Sequence, residues 1–351
     1  MKNAVNRIID ANFNRAREAL RVLEDYARFT LNDSAISLSA KNLRHELCSI
    51  LGQLPACDLL TARDTPADVG TQLSTQQELT RSDPLAVAAA AAKRLPEALR
   101  CLEEYTKIDN PNIARELEAI RYRAYTLEKQ LITHAHRTNR FQNVQIYVIL
   151  TSKLCKYSIL DTATQILAGG CDCIQLREKD LPDSKLIPLA AKICDLCSQA
   201  GALFIVNDRP DLAVLTGADG VHLGQQDMPV NQARKILSPN MLAGKSTHTL
   251  DEVNRALAES PDYLAVGSIF PSPTKPNITP TGLQLIENTR DIYQGPLIAI
   301  GGITAENAPQ TLSAGASGVA VCSAVFANDN PKTAISALKN ALSDQKRAAH
   351  I

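Results

Sequence analysis

Apolar residues in the first part of the chain recur every three to four positions over residues 5–29 and again over 85–105, which predicts two amphipathic helices. A second charged amphipathic stretch follows each, near residues 41–51 and 113–131. The two helix pairs are copies of one another. Glu18-Ala19-Leu20-Arg21-Val22-Leu23-Glu24-Asp25-Tyr26 matches Glu97-Ala98-Leu99-Arg100-Cys101-Leu102-Glu103-Glu104-Tyr105, so the pattern predicts a bundle built from an internal repeat. Arg and Glu three apart in each copy are expected to pair on the helix surface. The polar stretch 62–70 between the copies reads as a functional loop rather than a tight connector. Asn12, Asn14 and Arg15 precede the first copy where Ala91, Lys93 and Arg94 precede the second, so the repeat is asymmetric in its polar groups.

Residues 134–143 are polar and are expected to connect two domains, 1–137 and 144–351. From Val144 the period changes. Short apolar runs at 145–150, 173–176, 203–206, 220–223, 241–243, 263–266, 297–300 and 318–321 alternate with helical patterns. Strand–helix units repeated in this way predict an α/β domain, a (β/α)8 TIM barrel following an all-α helical domain. A doubly wound sheet is the alternative; the regularity of the units and the late Gly301-Gly302 pair favour the barrel.

Composition narrows the function. The 351 residues are 45% hydrophobic and 21% charged, enough for two cored domains. A formal net charge of zero argues against a nucleic-acid or acidic-membrane partner. No run approaches ~20 apolar residues, so no membrane span is expected. The N-terminus lacks a signal-peptide core, and the nine cysteines are scattered, which points to the cytoplasm. Cys194 and Cys197 have redox-like spacing but lie in a helical pattern and read as structural.

In a TIM barrel the chemistry gathers at the C-terminal ends of the strands. Gln175, Arg177 and Lys179 alternate at the end of the second strand, and an extended backbone would aim all three the same way. A guanidinium fork, an ammonium and an amide suit a pyrophosphate. Asp208 and Asp227 follow the third and fourth strands, and two carboxylates beside a diphosphate suit Mg2+; taken singly they read as a helix cap and a turn residue. Ser246 follows the fifth run, and Ser272, Thr274 and Lys275 sit in a proline-rich loop after the sixth. Gly301-Gly302 and Cys322-Ser323 end the last two strands, where barrels often bind phosphate on backbone N–H groups. The pattern is thus two anion sites, one cationic and one glycine-lined.

Together, Tyr147-Val148-Ile149, residues 175–179, Asn207-Asp208-Arg209, residues 218–225, residues 244–248, residues 272–275 and residues 299–303 resemble the thiamine-phosphate synthases (thiamine-phosphate pyrophosphorylases) over about residues 144–345. The resemblance implies a transferase. It would join hydroxymethylpyrimidine diphosphate to a thiazole phosphate, in its ethyl or carboxyethyl form, making thiamine monophosphate and pyrophosphate with Mg2+. By the same resemblance Gln175, Leu176, Arg177, Glu178, Lys179, Asn207, Ser246, Tyr147 and His222 would hold the pyrimidine diphosphate. Asp208 and Asp227 would hold Mg2+. Ser272, Pro273, Thr274, Lys275, Gly302, Cys322 and Ser323 would hold the thiazole phosphate, and Arg177, Lys179 and Ser246 would act in catalysis. Three positions depart from the family's habit: Ser272 stands for Thr, Cys322 for an aliphatic residue, and Lys153 for an acid.

The first half resembles the helical domain of fused thiamine-phosphate synthases, to which a phosphomethylpyrimidine kinase role attaches. It has no Gly-rich nucleotide loop, so a scaffold or dimerisation role is the alternative. Its candidate polar groups are Asn12, Asn14, Arg15, Arg63 and Asp64. The implied partners are small-molecule substrates, with a homo-oligomer left open. The rival readings are a thiazole tautomerase-like isomerase and a non-catalytic thiamine phosphate sensor; pyrophosphate release separates them from the synthase.

Overall fold

The structure, a computed structural model, describes residues 2–72, 80–272 and 279–349. The chain divides into two compact units, Met1–Ala135 and His136–Ile351.

The first unit is helical: α1 (Lys2–Phe29), α2 (Ser34–Leu51), α3 (Ala56–Ala62), α4 (Pro84–Thr106) and the greater part of α5 (Pro111–Gln142). Local chemistry sets the starts. Asp33 accepts from the backbone N–H groups of Ala35 and Ile36, capping α2. Asp83 accepts from Ala86 and is followed by Pro84, whose missing N–H costs nothing in a first turn. The two copies of the repeat bury the same positions, Leu20 and Leu23 in one, Leu99 and Leu102 in the other.

The expected surface pairing inside each copy is only half of what forms. Arg21 lies 3.5 Å from Glu24 and Arg100 lies 2.7 Å from Glu103, but both glutamates are buried. Each takes its better-shielded partner from the following helix: Arg44 Nε donates to Glu24 at 3.0 Å, and Arg121 Nε donates to Glu103 at 2.9 Å. A buried carboxylate needs such a partner, because desolvation would otherwise disfavour its charge. The cross-helix arginines fall outside the matched nine residues.

The second unit is a closed barrel of eight parallel strands in chain order. They are β1 (Ile146–Leu150), β2 (Cys173–Leu176), β3 (Leu203–Asn207), β4 (Gly220–Leu223), β5 (Leu242–Thr247), β6 (Tyr263–Val266), β7 (Leu297–Ile300) and β8 (Gly318–Val321). Alternation sorts their side chains. Val148, Ile174, Phe204, Val221, Leu264 and Val319 face outward onto the surrounding helices. Tyr147, Cys173, Ile205, Leu242, Tyr263, Ile298 and Ala320 fill the interior.

Two sequence expectations change. The segment 134–143 is no loose connector: α5 continues through Gln142. Two of its arginines are held on the barrel. Arg137 Nε donates to Asp262 at 2.9 Å, and Arg140 donates to Asp219 and to the carbonyl of Asn240. Phe141 is wholly buried with the interior residues. Strand β5 is longer than its apolar run, and takes in Gly244-Lys245-Ser246-Thr247. Those residues resemble a turn in sequence, yet Lys245 is buried on the outer side beside Glu259 at 3.7 Å.

Candidate active site

Ser246, Arg177, Ser272, Gly302, Cys322 and Ser323 line one cavity of about 260 Å3 at the C-terminal ends of the strands, with His248, Ser268 and Gly301 also on its wall. Of the side chains expected at the cationic mouth, Arg177 and Ser246 share this wall with the glycine mouth, while Gln175, Lys179, Asn207, Asp208 and Asp227 are not on it. Arg177 is the link. It follows β2, and its positive charge reaches Cys322 after β8, although burial still pushes the Cys322 thiol up to about 11.

The alternation expected for Gln175, Arg177 and Lys179 stops where β2 stops, at Leu176. Gln175 points into the barrel interior, where Nε2 donates to the Tyr147 hydroxyl at 2.8 Å. Lys179 Nζ lies 3.3 Å from Asp208 Oδ2. Leu176 packs on the outer side with the helices, so only its backbone remains available to a ligand. Glu178 is taken up by the loop after β1, accepting from the Ser152 N–H and from its hydroxyl at 2.9 Å. Lys153 pairs with Asp180 in the same region.

Asn207 ends β3 in register with His222 of β4. Asp208 follows with φ 62°, a left-handed backbone uncommon for a residue with a side chain. Its N–H donates to the His222 carbonyl at 2.9 Å, which holds the turn. The cap reading of Asp208 fails: the next helix (Pro210–Thr216) has no side-chain cap. Asp227 does brace a turn, accepting from the Gly224 N–H at 2.6 Å. The two carboxyls also meet. Burial and then the neighbouring Asp227 raise the Asp208 pKa, against the lowering effect of Lys179. Two oxygen donors crowded together beside an ammonium fit a hard divalent cation that completes its shell with water and substrate oxygens. Among the described residues no cluster of three or more His, Cys, Asp or Glu side chains forms a fuller cage.

His222 Nε2 lies 2.8 Å from Ser246 Oγ, and burial brings the imidazole pKa down to about 4, so it is neutral. Gln225 Nε2 donates to the Ser246 carbonyl at 2.6 Å, fixing the backbone there. On the opposite wall Gly301 and Gly302 have φ of 99° and 65°. A Cβ at Gly301 would overlap Ser268, and one at Gly302 would overlap the Pro271 carbonyl. Glycine is required at both for conformation and for space. Pro273, Thr274 and Lys275 lie outside the described residues.

Sequence reasoning gave no role to Ser268 or Tyr263, and took His248 only as part of the motif 244–248. Ser268 follows β6 and faces Gly301, a pairing between distant loops that no local motif announces. Tyr263 was legible only as an apolar strand residue.

Residues 146–325 match the sequence model of the family described as Thiamine monophosphate synthase. Residues 7–130 match that of the ThiD2 family. The thiamine-phosphate synthase of Synechocystis sp. is 40% identical over 340 residues, covering 97% of each chain. The chain belongs to the thiamine-phosphate synthase family. The Nostoc punctiforme thiamine-phosphate synthase is 41% identical over 331 residues, 94% of this chain and 92% of its own. Among solved structures, thiamine phosphate pyrophosphorylase from Pyrococcus furiosus is 33% identical with a TM-score of 0.55, covering 59% of this chain and 98% of that one. As a member of the family this protein is a transferase of thiamine biosynthesis that makes thiamine monophosphate. No helix among the described residues is long and apolar enough to cross a membrane.

Proposed function

We propose that the barrel joins hydroxymethylpyrimidine diphosphate to a thiazole phosphate within the cavity described above. The observation that carries this reading is that Arg177, Ser246 and Gly302 line the same space. Arg177, Lys179 and Asn207 hold the diphosphate. Asp208 and Asp227 would hold Mg2+, which supplies fixed positive charge to the leaving group. Gly302, Ser323 and Ser272 receive the phosphate of the thiazole.

The C–O bond between the pyrimidine methylene and the diphosphate breaks, and its electron pair leaves with the diphosphate. Arg177 and Lys179 stabilise that growing charge in a partly closed site. The thiazole nitrogen, held against the methylene carbon, donates its lone pair to form the new C–N bond. No enzyme nucleophile takes part. The Gln175 side chain, which points into the interior, contributes by orienting Tyr147 rather than by gripping phosphate. Full-length protein with both substrates and Mg2+ should release pyrophosphate and form thiamine monophosphate in equal amounts. Binding of either substrate without release would refute the proposal.

The helical unit carries a separate polar group. Arg63 makes two 2.8 Å hydrogen bonds to Asp10, and Asn14 donates to the Asp10 carbonyl at 3.0 Å. This brings together residues from α1 and from the segment after α3 within the stretch that matches the ThiD2 family, and we propose for it a second ligand-binding role in the kinase sense, a scaffold being the alternative. Full-length protein given ATP and pyrimidine monophosphate should then accumulate the diphosphate. A folded sample that forms none returns the unit to a scaffold.

A further inference from the structure

Beneath the cavity a line of hydroxyls and rings crosses the barrel interior. Gln175 Nε2 donates to Tyr147 at 2.8 Å. The Tyr147 hydroxyl lies 3.1 Å from that of Tyr263, which lies 3.0 Å from His222 Nδ1. His222 Nε2 reaches Ser246 Oγ at 2.8 Å. Tyr263 occupies the middle and is wholly buried.

Its ring has little freedom. Phe141, from the last turn of α5, stacks on it at 3.8 Å and 7°. The His222 ring lies 5.5 Å away at 30°. Gly244 leaves the remaining room, since a Cβ there would fall on the Tyr263 ring. The segment before the barrel and a glycine of β5 thus hold one hydroxyl against one imidazole nitrogen.

The hydrogen bonds along this line have a direction. The Gln175 amide nitrogen can only donate, so Tyr147 accepts from it and turns its own hydrogen to Tyr263. Tyr263 then donates to His222 Nδ1 at 3.0 Å, which makes that nitrogen the acceptor and leaves the ring hydrogen on Nε2, facing Ser246. His222 donates to Ser246, which leaves the serine hydrogen for the cavity.

We propose that Tyr263, held by Phe141 and Gly244, is a positioning residue that sets the His222 tautomer and thereby makes Ser246 a hydrogen-bond donor to an acceptor atom of the substrate. The chemistry selected is a ring nitrogen or an anionic oxygen. The opposite tautomer would make Ser246 an acceptor and favour an amino group instead. The inference rests on Ser246 facing the pyrimidine substrate, as proposed above.

The test begins with 15N-histidine NMR of the full-length protein without substrate, with His222 identified by the signal lost in His222→Gln. The expected pattern is a protonated Nε2 and an unprotonated Nδ1; a protonated Nδ1 overturns the proposal. Tyr263→Phe keeps the ring stack and removes the hydroxyl. It should erase the tautomer preference and lower kcat roughly tenfold, in keeping with one lost buried hydrogen bond, while the KM for thiazole phosphate stays within about twofold. An unchanged tautomer in Tyr263→Phe also overturns the proposal. The tautomer is read without turnover, so it supports the positioning role even where Ser246→Ala leaves kinetics untouched; that second result would instead refute the placement of the pyrimidine at Ser246.

Discussion

At the scale of single residues, the cationic strand end divides its labour in a way that spacing alone does not show. Three alternating positions give one interior amide, one cavity guanidinium and one carboxylate-paired ammonium, because β2 ends at Leu176 and the next residues are free of its pleat. Arg177 lines the cavity where both anions are proposed to meet. Arg177→Ala should therefore lower kcat by about 10²–10³, the range for removing one preorganised charge-stabilising donor, and should also raise the KM for thiazole phosphate. Steady-state kinetics with each substrate varied checks both. Asp208→Asn should raise the Mg2+ concentration for half-maximal activity. Because it removes a like charge beside Asp227, it should also raise the melting temperature of the metal-free protein. Unchanged Mg2+ dependence would remove Asp208 from the ligand set. The identities of these residues were legible from their places after strands. Their directions were not, since side-chain aim depends on where the pleat ends and on loops far away in sequence.

At the scale of elements, hydrophobic period was enough to find the barrel strands, and chemistry blurred the ends. Strand β5 looked too short because its last inward position is a serine and its outward lysine is buried beside Glu259. Helix α5 looked interrupted because Arg137 and Arg140 find carboxylates on the barrel and so read as solvent-facing in sequence. The start of α2 offers a pH test. Burial alone would raise the Asp33 pKa, but the His134 side chain and two backbone N–H groups hold it below its usual 3.8. A depressed folded pKa means that the stabilisation is present above about 3.8 and is lost as pH falls through the lower folded value. Asp33→Ala should cost about 1–2 kcal/mol, typical of a lost N-cap. The gap in melting temperature between variant and wild type should be full at neutral pH and shrink in strong acid. A gap independent of pH would show that the carboxylate charge is not what caps the helix.

At the scale of the whole molecule, the described residues form three separate hydrophobic clusters, one among the helices of the first unit and, in the second, one around the barrel and one inside it. Each proposed ligand group lies within a single unit: Asp10 and Arg63 in one, Arg177, Asp208 and Gly302 in the other. The internal repeat and the change of period at Val144 made the two-part organisation visible in sequence. The buried glutamate–arginine pairs that bind the repeat together were not visible, because their arginines sit on the following helices. If the barrel site is complete in itself, changes in the two units should act independently, as substitutions without shared partners generally do. Full-length Arg63→Ala should then make thiamine monophosphate from preformed pyrimidine diphosphate at a rate within about twofold of wild type. Arg177→Ala should lose that rate whichever pyrimidine substrate is supplied. The double variant should match Arg177→Ala alone. A folded Arg63→Ala protein that loses most of its rate with preformed diphosphate would mean that synthesis depends on the helical unit, and that the barrel cavity is only part of the site.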